Sequence, residues 1–332
     1  MKRSFLLPLL VLGLFFAPDV NAPSAGAQQA IELRIATLAP DGSSWMRVFN
    51  AWNTSLRQAT NNRLSLRFYA GGSQGDERDF VRKMRAGQMD GAVVTTTGLG
   101  IMVRSALVLA TPGLITEYTQ LDRVRQRLAS TFEQQFTENG YKLLGWGDAG
   151  QMRLFSVDRI QRPSELASHR PWVWRDDPVY TEYFQAMNAN PVRLGVPEVL
   201  PGLQTRMVDS LFTSAIAGVS LQWHTRTRFA SRQTFNILVG ATVISKQKFD
   251  SLPPDLQQAL VDTAQRAHLS AQRLIQRDDA NAFNTVQQRG VQVNDLGSHY
   301  QEWMTAARTA RERLAGRVYP RALLDQVTQA MQ

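Results

Sequence analysis

An α/β fold of two domains is what this sequence predicts, and three observations predict it. Strands and helices alternate from Ile31 to Thr95 as β-α-β-α-β, the pattern of a mostly parallel sheet with covering helices. A chain of 332 residues without an internal repeat is long enough for two hydrophobic cores. The third observation is a long β-rich run followed by a very long helical stretch, both able to pass from one domain into another.

The first residues stand apart from this fold. Lys2 and Arg3 precede the apolar run Phe5–Phe16, too short to span a bilayer, and Ala25-Gly26-Ala27 is a small-residue cleavage site. Residues 1–27 therefore read as a secretory signal. No cysteine follows to carry a lipid, and export without disulfides suits a bacterial periplasm.

Ile31 to Leu38 reads as a buried strand. Pro40-Asp41-Gly42-Ser43-Ser44 then turns the chain and can cap a helix bearing Trp45, Val48, Phe49, Trp52 and Leu56. Leu64, Leu66 and Phe68 alternate with polar or half-polar neighbours as a second strand. After a glycine-rich turn, a helix with Phe80, Val81 and Met84 ends at Gly87, and Asp90 to Thr95 is a third strand. Leu121, Val124, Leu128, Phe132 and Phe136 mark a helix stopped by Asn139-Gly140. Separate strands are expected at Tyr141–Trp146 and Arg153–Val157, divided by Gly147-Asp148-Ala149-Gly150, and another at Pro171–Trp174. Helices over Val179–Asn188 and Val199–Met207 follow, with a short strand at Val192–Leu194 between them and Val208–Phe212 after them. Phe235 to Ser245 is the long β-rich run. From Pro254 no proline or glycine recurs until Gly290, and Leu256, Leu260, Ala264, Ala267, Ala271, Leu274 and Ala282 form a stripe along the stretch. That stripe suits a strut between domains or a dimerising surface. A strand at Val291–Leu296 and two helices close the chain.

Composition excludes several chemistries. With no cysteine there is no disulfide scaffold, iron–sulfur site, Cys-ligated zinc or Cys nucleophile. The four histidines lack metal-ligand spacing, so neither a metal nor another cofactor is expected. The net charge of +9 is carried by dispersed residues, and an exported protein meets no nucleic acid.

Gly71-Gly72-Ser73-Gln74-Gly75 satisfies G-x-S-x-G, the nucleophile elbow of secreted serine hydrolases, with His224, His268 and His299 downstream. It has no oxyanion loop upstream and too few strands before it, so a glycine-rich turn is the simpler reading. Asp176-Asp177 suits a helix N-terminus. The aromatic residues say more. Trp172 and Trp174 lie two apart on one strand and face the same way. Trp146 ends the neighbouring strand, and Phe212 and Trp223 lie further on. Tryptophan is seldom fully buried and commonly lines ligand clefts. Arg153 opens a strand.

In order and spacing these segments resemble the solute-binding receptors of TRAP transporters, the DctP-type family, over essentially the whole chain after the signal. Tyr69–Arg78 resembles the family's Pro-Gly-Gly and Leu-Gly-Asp-Glu turn. Met84–Ala92 is similar to its Gly-x-Ile-Asp-Gly-Ala element, Gln151–Ser156 to Gly-Phe-Arg, Pro163–Leu166 to its Pro-Glu-Asp-Leu, and Gly202–Asp209 to Leu-Gln-Thr-Gly-Val-Val-Asp. The resemblance implies a two-lobe periplasmic-binding-protein-like fold with parallel or mixed sheets, a long hinge strand and a long hinge helix. It implies lobe I at 28–148, with 235–265 returning to it, and lobe II at 149–234. The final 266–332 would span the lobes.

The same resemblance implies a receptor that captures a small organic acid and does no chemistry, working with TRAP-type membrane permease subunits, most simply as a monomer. The family's carboxylate-binding arginine falls at Trp172 and its following proline at Trp174; a later Glu-Asn pair becomes Phe212 and Thr213. An indole cannot replace a bidentate guanidinium. Arg153, Trp172, Trp174, Phe212, Thr213, Trp146, Trp223 and Thr96, just past the third strand, are the candidate ligand residues. Two ligands fit them: a monocarboxylate or aromatic acid held by Arg153 in an aromatic-lined cleft, or a neutral or lipid-like apolar molecule.

Overall fold

The computed structural model describes residues 30–332. The expected signal at 1–27 lies outside them.

The first lobe begins as the spacing predicts. Strand β1 (Ile31–Thr37) leads to helix α1 (Ser44–Ala59), which starts where the Ser43 hydroxyl accepts from the Met46 N–H at 3.3 Å. Met46, Phe49, Trp52 and Leu56 form its buried stripe. Strand β2 (Leu64–Tyr69), helix α2 (Glu77–Arg85) and strand β3 (Gly91–Thr95) complete the alternating series, with β1 parallel to both other strands. Helix α3 (Thr96–Met102) follows β3 directly. The single helix expected around Leu121–Phe136 is two, α4 (Tyr118–Arg127) and α5 (Ala129–Glu138), broken at Leu128.

The two strands expected on either side of Gly147–Gly150 are one. Strand β4 (Tyr141–Ser156) has 16 residues and reaches about 50 Å. Gly145 and Gly150 are there for close approach rather than for a turn. A Cβ at Gly145 would lie 2.5 Å from the His268 ring, and one at Gly150, where φ is +98°, 2.6 Å from Asp279 Oδ1.

The second lobe holds β5 (Pro171–Trp174), α6 (Pro178–Ala186), β6 (Val192–Leu194), α7 (Val196–Gln204), β7 (Ser210–Ser214), α8 (Ala215–Ser220) and β8 (Phe229–Ser231). Strand β9 (Ile237–Ser245) then returns to the first lobe, antiparallel to both β3 and β4, and short helix α9 (Lys246–Asp250) ends it. The strand order is β2-β1-β3-β9-β4-β7-β5-β6, a mixed sheet in which β4 belongs to both lobes.

Helix α10 (Pro254–Gln288) runs 35 residues, about 52 Å, as the missing breakers predict. Its stripe serves two cores. Leu256, Leu260 and Ala264 pack with Leu33, Ile35, Trp52 and Leu56 of the first lobe. Ile275, Ala282 and Val286 pack with Phe155, Val199 and Leu211 of the second. The stripe is thus packed within the chain. Strand β10 (Gln292–Asn294) pairs with β8, helix α11 (Tyr300–Leu314) packs on α6, and helix α12 (Arg321–Ala330) on α4. No helix among the described residues is long and apolar enough to cross a membrane.

Candidate functional site

Between the lobes lies a cavity of about 150 Å³. The first lobe contributes Leu38, Trp45, Phe49, Val93 and Thr96. The crossing strands supply Asp148, Met152 and Leu238, and the second lobe Trp172, Trp174, Phe212, Thr213 and Trp223.

Of the four tryptophans at the cavity, three present their rings and little else, while the Trp223 indole makes no hydrogen bond among the described residues. The indole N–H of Trp45 donates to Asp148 O at 3.0 Å, that of Trp172 to Leu194 O at 3.1 Å, and that of Trp174 to the Asp76 carboxylate at 3.0 Å. With those donors spent, the faces turned to the cavity are apolar. Trp172 sits at the centre of the group, its ring 5.5 Å from Trp174 and 5.3 Å from Trp223. Phe212 lies on the far side among Tyr180, Phe184 and Phe235.

Few polar atoms face inward. Tyr180 donates to Asn236, and Thr242 is bonded to His268. The hydroxyls of Thr96 and Thr213, one on each lobe, have no hydrogen bond among the described residues, so both can serve a ligand. Among the described residues no lysine or arginine lines the cavity; its ionisable groups are Glu77, Asp148, Asp177, Tyr180 and His268. Among the described residues no cluster could hold a metal ion.

The carboxyls at the wall are spoken for. Asp148 is fully buried and paired with Arg125 at 2.7 Å. Asp177 caps α6 through the N–H groups of Val179 and Tyr180, and burial pushes its pKa up to about 6. Burial also pushes Glu77 up to about 8, against the bonds it accepts from Thr95 N (2.7 Å) and Gly98 N (2.7 Å), and Asp76 adds to the rise. Burial lowers the His268 pKa to about 4, so that side chain is neutral at ordinary pH.

The Glu77 shift has a testable sign. Folded Glu77 keeps a proton that the unfolded chain loses near pH 4.5. Its contribution to stability is therefore fully present below about pH 4.5 and is lost as pH rises through about 8. Between about pH 5 and 8 the wild-type melting temperature should fall by a few degrees relative to Glu77→Gln, read as a difference in slope. Parallel curves would show that the proton leaves Glu77 at its ordinary pKa.

Of the eight expected ligand residues, the cavity brings together Trp172, Trp174, Phe212, Thr213, Trp223 and Thr96. Two lie elsewhere. Arg153 turns to the other side of β4, where its guanidinium lies 3.8 Å from the Phe283 ring centroid and donates to the carbonyls of Ser231 (3.1 Å) and Arg232. Met152, the residue before it, lines the cavity, and strand alternation turns Arg153 to the opposite face. Trp146 packs edge-on against Phe132 and Phe136 beneath α5. Trp45, Asp148 and Met152 were not foreseen; only a helix stripe marked Trp45, and nothing in the sequence marked the other two.

Ser73 is exposed, and the three glycines of its turn, Gly71, Gly72 and Gly75, all have positive φ. His224 is bonded to Gly218 O and Arg289, His268 to Ala264 O and Thr242, and His299 to Glu302. None is placed to activate the serine, and the turn reading holds.

Known proteins match this arrangement. The profile of the family described as bacterial extracellular solute-binding protein, family 7 (DctP) matches residues 35–316. The 2,3-diketo-L-gulonate-binding periplasmic protein of Escherichia coli is 23% identical over 284 residues, 84% of this chain and 85% of that protein. A TRAP periplasmic solute binding protein from Ralstonia eutropha, solved with bound (S)-2-acetolactate, superposes with a TM-score of 0.84 at 21% identity, covering 90% of this chain and 98% of that one. An extracytoplasmic solute receptor from Bordetella pertussis binding pyroglutamic acid gives 0.84 at 16% identity, covering 91% and 99%. One from Citrobacter koseri with D-glucuronate gives 0.82 at 21%, covering 90% and 98%.

Proposed function

Because the chain belongs to the bacterial extracellular solute-binding proteins of family 7, the receptors of TRAP transporters, we propose that it captures a small uncharged molecule with a largely apolar body. It would deliver this ligand to TRAP-type membrane subunits. The observation that carries the reading is that, among the described residues, a wall holding four tryptophans includes no lysine or arginine. An anion placed there would give up its hydration for aromatic faces and carboxyls, with no cation to offset the loss. Size narrows the class. A cavity of about 150 Å³ is the volume that takes up benzene in an apolar core, so a body of about one six-membered ring suits it. Thr96 and Thr213 suit one or two hydroxyl or carbonyl groups on that body.

Capture would follow from hinge closure, the ligand favouring the closed form by the contacts it makes only there. The polar bonds fix orientation, and the indole rings supply the apolar contact.

The relatives favour a second reading, a small organic acid, since those named above bind acids. Arg153 would then have to leave Phe283 and the Ser231 carbonyl and turn inward.

Matched probes separate the two. Tryptophan fluorescence is titrated with benzoate, benzamide and methyl benzoate, and with D-glucuronate. The first reading expects saturation by the neutral members alone, and no change in their affinity on Arg153→Ala. Saturation by the carboxylates alone, with Arg153→Ala weakening them by roughly two orders of magnitude, would reject it in favour of the acid.

A further inference from the structure

We propose that Asp76 and the indole N–H of Trp174 form a latch between the lobes, which sets the balance of open and closed forms even without ligand. Asp76 belongs to the first lobe, where it caps α2: its Oδ1 accepts from Glu77 N at 2.9 Å. Its Oδ2 reaches across to the second lobe, accepting from Trp174 Nε1 at 3.0 Å and from Val196 N, the first residue of α7, at 3.3 Å. One carboxylate thus faces the starts of two helices on opposite lobes, where the unpaired N–H groups and the helix dipoles both favour negative charge.

The surroundings are shaped for this approach. A Cβ on Gly195 would lie 2.7 Å from Asp76 Oδ2, and one on Gly72 would lie 3.3 Å from both Pro197 and Leu38. Arg78 and Asp176 pair across the same seam at 3.4 Å, but Arg78 is exposed and the pair is screened. The buried bonds to Asp76 are the ones that discriminate between the forms.

Trp174 gives the latch its link to the cavity. Its face lines the ligand space beside Trp172, while its edge holds Asp76. Opening the lobes removes the wall and the bond together. A proline at this position, as in the motif that the segment resembles, has no donor to offer.

The wild-type chain has no cysteine, so spin labels can be placed at will. Gln88→Cys on the first lobe and Gln204→Cys on the second are exposed and away from the seam. Double electron–electron resonance on the full, ligand-free protein should find a short-distance population. Trp174→Phe keeps an aromatic wall but deletes the donor, and should lower the ratio of short to long distances about tenfold, the usual worth of a hydrogen bond to a charged group. Asp76→Asn, which retains one acceptor, should fall between. A ratio unchanged within twofold in Trp174→Phe overturns the proposal, as does a wild type that shows the long distance alone. So does a lowered melting temperature with an unmoved distance distribution. Should Trp174→Phe fail to fold, Asp76→Asn decides by the same ratio. No ligand enters the measurement, so its outcome is separate from that of the probe titrations.

Discussion

Trp172→Ala is expected to cost the folded protein about 3–5 kcal/mol and to weaken a ring-sized ligand by a further ~1–3 kcal/mol. Trp172 is only 6% exposed, between Trp174 and Trp223, and its N–H holds the Leu194 carbonyl at the edge of the β5–β6 pair. Truncation therefore opens a void in the second lobe's core and leaves the Leu194 carbonyl with the Arg175 N–H, at 3.3 Å, as its remaining donor. It also removes the centre of the cavity wall. Urea unfolding measures the first effect, and titration with a probe that saturates the wild type measures the second. Trp172→Phe should recover most of the stability and part of the affinity. A large stability loss with intact affinity would make Trp172 a core residue that merely borders the cavity.

The second large effect lies at the crossing. Arg125 is 7% exposed and the Asp148 side chain is wholly buried, with Nη2 and Oδ1 2.7 Å apart. Nη2 donates to the Gly147 carbonyl, 2.8 Å away, and Asp148 Oδ1 receives no aligned hydrogen bond, so its contact with Arg125 is an ion pair by distance. Arg125→Leu leaves a buried carboxylate with Gln276 as its remaining side-chain partner, at 3.0 Å. The expected loss is about 3–5 kcal/mol, most of it the cost of the orphaned charge. Asp148→Asn added to Arg125→Leu should therefore restore at least half. A single-variant loss below about 1 kcal/mol, or a double variant no better than the single, would show that solvent reaches Asp148 when Arg125 is gone.

Much of this architecture was legible in the sequence, for physical reasons. The alternating strands and stripes of the first lobe are local signals, and α10 was visible because no breaker interrupts it. Trp172 and Trp174 share a face because the strand period allows nothing else. What sequence concealed was long-range. Gly147–Gly150 looks like a turn, yet pairing with β9 on one lobe and β7 on the other holds it extended. Met152 faces the cavity, so alternation turns its neighbour Arg153 away from the site that its motif position implied. Trp146 faces outward beneath a helix whose position only the fold reveals. Asp148 and Met152 reach the cavity through that same crossing, so no local pattern announced them.

A helix whose two ends sit in two different cores has a consequence for how the molecule comes apart. Freeing the first lobe would strip Leu256, Leu260 and Ala264 from their partners while the same helix stayed bound at Ile275 and Val286. Strand β4 imposes the same condition, since its two halves complete different parts of one sheet. Shared elements of this kind predict that the lobes do not melt one at a time but unfold as a single cooperative foldon. The order of assembly is constrained too. β3 is flanked on its open side only when β9 arrives, roughly 150 residues later in the chain, so the first lobe stays unfinished until the second has been threaded. A first lobe that cannot close until β9 is made suits a polypeptide that must be carried through a membrane before it folds.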